Sequence, residues 1–161
     1  MTDFEALIRR LVAADVQFVI IGGFAGTVLG SPRTTVDLDI AYSRDERNLV
    51  RLARALEALV PQLRDAPPGL PFVLDAATLA RGLNFTLTTS LGDLDLIGDV
   101  TGGGSYEDLL PYTRRVRVFD TQVLVITLRQ LIRLKRAAGR PKDLVALAEL
   151  EALLEERQRK R

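Results

Sequence analysis

Asp37 and Asp39 are the two residues of this sequence whose type and spacing most clearly could do chemistry. They lie in the segment from Thr35 to Tyr42, which alternates as a β-strand does. Strand alternation turns both carboxylates to one face and leaves Leu38 to pack on the other. Two carboxylates that face the same way repel each other, unless a cation lies between them or one takes up a proton. A divalent ion such as Mg²⁺ would relieve the repulsion and bring phosphate oxygens as further ligands.

A pair of glycines, Gly22 and Gly23, precedes Asp37, and thirteen residues separate Gly23 from it. The pair ends the apolar run from Val16 to Ile21, which predicts a buried strand, and it precedes a short predicted helix over Phe24–Leu29. Glycines in a strand–turn–helix context let backbone N–H groups approach a phosphate with no Cβ in the way. Each feature alone is common, but together they predict a site for a metal ion and a phosphate group.

Missing residue types narrow the chemistry further. The 161 residues include no Cys, His or Trp, which excludes disulfides, thiolate nucleophiles, zinc–thiolate sites and histidine as a general base. Residues 1–126 hold 12 basic and 16 acidic side chains, whereas residues 127–161 hold 10 and 5. An acidic N-terminal part and a basic C-terminal part suit a metal pocket beside a phosphate-rich ligand. The alternative is a helix whose basic residues lie on a solvated face.

The elements that must position these residues follow from apolar periodicity. The pattern predicts helices over residues 3–14, 24–29, 45–59, 106–110, 128–138 and 142–157. It predicts strands over residues 16–21, 35–42, 72–74, 83–88, 93–97, 115–119 and 123–126, with a loop over residues 61–70. We expect an α/β (α+β) fold in one domain, residues 1–161. Its catalytic sheet core spans residues 1–100, and a strand pair and helices follow in residues 101–161, the last two helices as a C-terminal pair. No signal peptide or membrane span is evident, so we expect a cytoplasmic protein.

The run IIGGFAGTVLGSPRTTVDLDIAY resembles the signature of the nucleotidyltransferase superfamily. The resemblance implies the nucleotidyltransferase fold, a mixed β-sheet flanked by helices, and a third carboxylate on a neighbouring strand. In LGDLDLIGDV the favoured candidate is Asp95, between Leu94 and Leu96, with Asp93 as second choice. The alternative is that Asp95 is only a solvated strand residue.

The C-terminal run LRQLIRLKRAAGRPKDLVALAEL is similar to the tail of toxin-like nucleotidyltransferases related to abortive-infection and toxin–antitoxin systems. That group implies a helical Lys, then an Arg, then an Asp that starts the next helix, here Lys135, Arg140 and Asp143. Lys135 and Arg140 could reach triphosphate oxygens. Asp143 could orient Lys135 or act as a base, or it could satisfy the free N–H groups at the start of its helix. Ser31 and Arg33 could contact the nucleotide, or they could be plain loop residues.

These features predict transfer of a nucleoside monophosphate from a nucleoside triphosphate to an acceptor hydroxyl on RNA such as tRNA, on a protein or on a small molecule. Mg²⁺ or Mn²⁺ would be held by Asp37 and Asp39, with a second ion shared with Asp95. Alternatively, Asp95 would serve directly as the base. Gly22 and Gly23 would cradle the β- and γ-phosphates, while Lys135 and Arg140 would neutralise the departing pyrophosphate.

The resemblance also allows a toxin that has a cognate antitoxin protein as its partner. The alternative from a different class is a catalytically degenerate module of the same fold that binds a partner protein or a nucleotide. The position of the three carboxylates discriminates between the two, since an enzyme needs them to converge on open space.

Overall fold

Seven strands form one mixed sheet in the computed structural model, which describes all residues from 1 to 161. Along the sheet the strands follow the order β3-β4-β5-β2-β1-β7-β6. The strands are β1 (Phe18–Ile21), β2 (Asp37–Tyr42), β3 (Gln62–Leu63), β4 (Asn84–Thr89), β5 (Gly92–Ile97), β6 (Thr113–Val118) and β7 (Thr121–Ile126). The mixed sheet with helices between its strands confirms the predicted fold class.

Seven helices accompany the sheet, and most of them begin at a polar side chain that accepts a hydrogen bond from a free backbone N–H in the first turn. They are α1 (Phe4–Ala13), α2 (Gly22–Val28), α3 (Glu46–Glu57), α4 (Ala76–Arg81), α5 (Tyr106–Leu109), α6 (Leu128–Ala138) and α7 (Pro141–Arg159). Gly139 ends α6 with a φ of 63°, a left-handed conformation that glycine adopts without strain. No helix has both the length and the apolar character that crossing a bilayer requires.

Strand β2 lies in the middle of the sheet, antiparallel to β1 on one side and parallel to β5 on the other. Its apolar residues Leu38 and Ile40 are fully buried and belong to a single core of 38 buried hydrophobic residues. Burying these side chains fixes the phase of the strand, because a slip by one residue would turn them to the other face. The core therefore determines which way Asp37 and Asp39 point.

The segment between α3 and β4 differs from the prediction. Residues 72–74, predicted as a strand, form no ladder; Leu74 is buried against the core, and Asp75 then begins α4, which the sequence did not reveal. Pro71 has no N–H to donate to a ladder, which disfavours strand pairing at this point. The edge of the sheet is formed instead by Gln62 and Leu63, inside the predicted loop, which pair antiparallel with β4.

Candidate active site

Three carboxylates converge where β2 and β5 run side by side. The parallel register sets Asp37 opposite Asp93 and Asp39 opposite Asp95, while Leu38 and Leu94 pair in the core. One oxygen from each of Asp37, Asp39 and Asp95 lies within 4.8 Å of the others. Asp93 lies beside them on the same face of β5, and its Oδ1 accepts a hydrogen bond from Thr88 at 3.4 Å. Two Asp-x-Asp segments thus form one acidic surface on two adjacent strands.

Gly22 and Gly23 make the close approach of β2 possible. Gly22 has a φ of +70°, and a Cβ on it would overlap with Oδ2 of Asp39. A Cβ on Gly23 would lie 2.8 Å from the Thr35 hydroxyl, which is closer than real contacts. The sequence suggested that these glycines face a phosphate, and the structure adds that they make room for the second aspartate and for the segment leading to the first. They are the first two residues of α2 rather than a turn before it.

Arg64 is the basic residue that contacts the acidic surface most closely. Its Nη2 donates to Asp95 Oδ1 at 2.8 Å, its Nε lies 3.6 Å from Asp93 Oδ1, and its Nη1 lies 4.0 Å from Asp37 Oδ2. Sequence reasoning missed Arg64 because the Pro- and Gly-containing stretch around it predicted an irregular loop. No motif marks the position, and only the pairing of β3 with β4 carries it over the carboxylates.

Burial and mutual repulsion change the acidity of two of the carboxyl groups. Burial raises the pKa of Asp39 to about 8, and the negative charges of Asp37 and Asp95 add to the effect, while Lys135 opposes it. Burial also raises the pKa of Asp95, against the opposing positive charge of Arg64. Asp39 has no basic partner within ion-pairing distance, whereas Asp37 and Asp95 have Arg64. Within the site, Asp39 is thus the carboxylate that no positively charged side chain pairs with.

Lys135, Arg140 and Asp143 form a second cluster at the junction of α6 and α7. Asp143 is fully buried; its Oδ2 accepts from Arg140 Nε at 2.7 Å, and its Oδ1 accepts from Lys135 Nζ at 3.4 Å. Burial would raise the pKa of Asp143, but the hydrogen bond from Arg140 and the charge of Lys135 together lower it. A buried carboxylate with two cationic partners is poorly suited to be a base. Asp143 is placed between the two cations, and its Oδ2 also accepts a hydrogen bond from the Arg140 backbone N–H at 3.2 Å.

The two cationic side chains of this second cluster interact electrostatically with the carboxylates of the sheet. Lys135 is near enough to lower the pKa of Asp39, and Asp39 and Asp37 contribute to a raised pKa of Arg140, whose largest cause is the hydrogen bond with Asp143. Lys135 is only 18% exposed at its side chain, as expected for a position on the apolar stripe of α6. Lys135 and Arg140, the basic wall of the site, therefore interact electrostatically with the acidic surface of the sheet.

Ser31 and Arg33 remain in the loop between α2 and β2 and contact none of the carboxylates of β2 or β5. Ser31 Oγ accepts a hydrogen bond from the Arg33 backbone N–H, and Arg33 Nε donates to Glu149 Oε2 of α7 at 2.8 Å. Arg33 is 43% exposed, so the ion pair stands in solvent. These contacts tie the loop to α7.

The carboxylate cluster fits a hard divalent cation. Asp39 Oδ1 is buried and has no hydrogen-bond partner, which is costly for a charged oxygen and leaves it free for a metal. The ligand atoms available are all carboxylate oxygens, the donors that Mg²⁺ and Mn²⁺ prefer over nitrogen and sulfur. The residues of the site thus supply what such an ion requires.

A scan of protein-family models and a search of curated proteins by sequence found no match to this chain. Solved structures do match it. A protein from Thermotoga maritima described as a nucleotidyltransferase has a TM-score of 0.56 at 19% identity, with 93% of this chain and 89% of that chain covered. The lincosamide antibiotic adenylyltransferase LnuA, solved with lincomycin, has a TM-score of 0.59 at 14% identity, with 94% and 98% covered.

ANT(2″)-Ia, solved with adenylyl-2″-tobramycin, has a TM-score of 0.55 at 14% identity, with 98% of both chains covered. The matches extend over nearly the whole of each chain, so they concern the complete arrangement of sheet and helices. At identities of 14–19%, these matches concern the architecture of the chain. The chain has the nucleotidyltransferase fold.

Proposed function

We propose that this protein is a metal-dependent nucleotidyltransferase, which moves a nucleoside monophosphate from a nucleoside triphosphate to an acceptor hydroxyl and releases pyrophosphate. The observation that carries the proposal is the convergence of Asp37, Asp39 and Asp95 around the unpartnered buried Oδ1 of Asp39. A merely structural acidic cluster would be expected to pair each carboxylate or expose it to water. Here one carboxylate oxygen is buried without a partner, and two further carboxylates lie within reach of the same ion.

Asp37 and Asp39 would hold Mg²⁺ or Mn²⁺ through their carboxylate oxygens, and Asp95 lies beside them. When bound, such an ion would neutralise triphosphate oxygens and favour charge build-up on the group that leaves. The protein then contributes position and electrostatics, which suffice for phosphoryl and nucleotidyl chemistry without His or Cys.

The basic wall would bind the phosphates. Lys135 and Arg140 would donate charge-assisted hydrogen bonds to β- and γ-phosphate oxygens, and these bonds would strengthen as pyrophosphate departs. Asp143 would hold both cations in place from its buried position between them. Gly22 and Gly23 would add backbone N–H groups at the start of α2, where a Cβ is excluded by Asp39 and Thr35. Ser31 and Arg33 would contribute at most indirectly, by fixing the loop before β2.

Asp95 would accept the proton of the acceptor hydroxyl. Its raised pKa makes it a better base than an ordinary exposed aspartate, and the hydrogen bond from Arg64 fixes the orientation of its carboxylate. Among the structural neighbours, LnuA is named for a lincosamide antibiotic and ANT(2″)-Ia was solved with adenylyl-tobramycin. A hydroxyl of a small polar molecule is therefore the first acceptor to test, before RNA and protein hydroxyls.

The test is incubation of the protein with each α-³²P-labelled nucleoside triphosphate and Mg²⁺, against pools of small hydroxyl compounds, tRNA and protein. We expect label transfer that disappears with EDTA and in Asp39→Asn. The tRNA and protein pools test the toxin-like role, and co-purification with a partner encoded next to it would identify an antitoxin. Label transfer in none of the pools, with nucleotide binding retained, would instead favour the degenerate binding module.

One observation favours the second candidate, the catalytically degenerate module. Arg64 covers the Asp93–Asp95 side of the acidic surface, and a site blocked by a side chain is what a degenerate module would show. Asp39 differs from Asp95, because no ion pair reaches it and its buried Oδ1 has no hydrogen-bond partner. This unpaired carboxylate is the reason why the enzyme is the first proposal.

A further inference from the structure

Arg64 is built into the sheet rather than lying loosely over it. Its backbone N–H donates to Thr86 O at 2.9 Å, which continues the pairing of β3 with β4. Its Nη2 donates to the Leu87 carbonyl at 2.6 Å as well as to Asp95, and the side chain is only 21% exposed. An arginine fixed at both its backbone and its guanidinium loses little further freedom when it holds a carboxylate.

The guanidinium divides the acidic surface into two sides. It contacts Asp95 and lies within ion-pairing distance of Asp93 and Asp37, so a positive charge already lies between the third carboxylate and the first. It does not reach Asp39, whose Oδ1 has no partner. One side of the site is therefore supplied with a cation by the chain itself, and the other is not.

An ion bridging Asp37 and Asp95 would have to compete with this guanidinium. A magnesium–oxygen bond is about 2.1 Å long, and Arg64 Nη2 already lies 2.8 Å from Oδ1 of Asp95. The two cations would contend for the same carboxylate and repel each other at short range in a partly buried site. Removing Arg64 from this position would also break its hydrogen bond to the Leu87 carbonyl.

We propose that the guanidinium of Arg64 takes the place of a second divalent ion, so that the site binds one divalent ion, on the Asp39 side, instead of two. This inference rests on the proposed function, because it concerns the same carboxylates. It changes the initial expectation of a second ion shared with Asp95. Arg64 becomes a permanent cation that positions Asp95, whose second oxygen stays available to accept a proton, and the exchangeable ion is held by Asp37 and Asp39.

The experiment counts bound Mn²⁺ by electron paramagnetic resonance, at saturating concentration of an ATP analogue that cannot be cleaved between its α- and β-phosphates. The signal of free Mn²⁺ is subtracted from the total, and the difference, corrected for Mn²⁺ held by the analogue alone, gives the number of ions bound to the protein. Magnetic coupling between bound ions shows whether two of them lie close together. The variants are Arg64→Met, which keeps the stem and removes the charge, and Arg64→Lys, which keeps the charge. Arg47→Met is the matched control, because Arg47 is exposed on α3 and forms no ion pair.

We expect one Mn²⁺ in the wild type, in Arg64→Lys and in Arg47→Met, and two coupled ions in Arg64→Met. Two ions in the wild type would overturn the inference and leave the proposed function standing. One ion in folded Arg64→Met would also overturn the inference, because it would show that the position left by the guanidinium binds no second ion. No bound Mn²⁺ in the wild type would contradict the proposed function itself. Should Arg64→Met fail to fold, the wild-type count and the absence or presence of coupling decide the matter.

Discussion

Lys135 and Asp143 are joined across the turn between α6 and α7, with Nζ of the lysine 3.4 Å from Oδ1 of a carboxylate that is fully buried. The same carboxylate receives Arg140 at 2.7 Å. The Asp143→Asn variant keeps the shape and removes the charge that holds both cations. We expect it to lower the free energy of unfolding by about 1–3 kcal/mol, as for a disrupted buried hydrogen bond to a charged group. Urea unfolding followed by circular dichroism measures this.

Glu149→Gln is the matched control for Asp143→Asn, since Glu149 is an acidic residue of the same helix that pairs with Arg33 in solvent. Exposed ion pairs contribute about 0–1 kcal/mol, so we expect a much smaller change. Equal losses in the two variants would mean that Asp143 does not organise the basic wall.

Lys135→Met tests whether the lysine acts on phosphate. The substitution keeps the bulk that packs on the apolar stripe of α6 and deletes the charge. A charge-assisted hydrogen bond contributes about 1.5–3 kcal/mol, which corresponds to roughly a 10- to 100-fold weaker binding of a nucleoside triphosphate. Binding of the nucleoside without phosphates should stay unchanged. Isothermal titration calorimetry compares the two ligands, with exposed Arg129→Met on the same helix as the control. Unchanged triphosphate affinity would reduce Lys135 to a packing residue.

The acidity of Asp39 predicts an unusual pH dependence for the metal-free protein. A carboxyl with a pKa of about 8 in the folded state, against 3.8 as the ordinary value, binds more protons folded than unfolded between those limits. Stability in EDTA should therefore fall as the pH rises from about 4 to about 8, with a slope of at most about 1.4 kcal/mol per pH unit for one proton. Asp39→Asn should flatten this part of the profile and be more stable than the wild type at pH 8.

Asp99→Asn, which changes an exposed carboxylate outside the cluster, is the control for that profile. Chemical unfolding at a series of pH values supplies the data. If the stability of the metal-free protein rises through this pH range in both the wild type and Asp39→Asn, the pKa of Asp39 is not raised as described.

Gly22→Ala tests the approach of the glycine pair to β2. The new Cβ would overlap with Asp39 Oδ2 and would sit at a φ of +70°. Backbone strain of this kind costs about 1–3 kcal/mol, and displacement of Asp39 should also weaken Mn²⁺ binding. Gly69→Ala is matched for the backbone, since Gly69 has a φ of +81° with nothing within 4 Å of its Cβ position. We expect strain alone in Gly69→Ala, with Mn²⁺ affinity unchanged; equal Mn²⁺ affinity in both variants would contradict the account of Gly22.

The residues of β2 show which features of the fold the sequence predicts. The alternation of Leu38 and Ile40 with Asp37 and Asp39 predicts both the strand and the common face of its carboxylates, because the period of a strand leaves no other choice. Helix α6 was predicted with its observed limits, 128–138, since its apolar spacing is regular and Gly139 ends it. These are features that local pattern determines.

The position of Arg64 over the carboxylates cannot be predicted from local sequence pattern. Arg64 follows the two-residue strand β3, which is too short to have a period. Gln62 pairs with Thr88 and Leu63 with Leu87, so the position of Arg64 is set by the tertiary fold alone. The wrong strand at 72–74 has the same origin, because a short apolar run packs on the core as well without a ladder as with one. The basic partner of Asp95 could not be read from the sequence for this reason.

Metal-dependent nucleotide binding tests the central claim most directly. Isothermal titration calorimetry would follow binding of the uncleavable ATP analogue to the wild type and to Asp39→Asn, each with Mg²⁺ and with EDTA. The account predicts that Mg²⁺ strengthens binding to the wild type at least about 10-fold, a difference of 1.4 kcal/mol, and that Asp39→Asn, although folded, loses most of this gain. Equal affinities with Mg²⁺ and EDTA in the wild type, or an undiminished Mg²⁺ effect in Asp39→Asn, would contradict it.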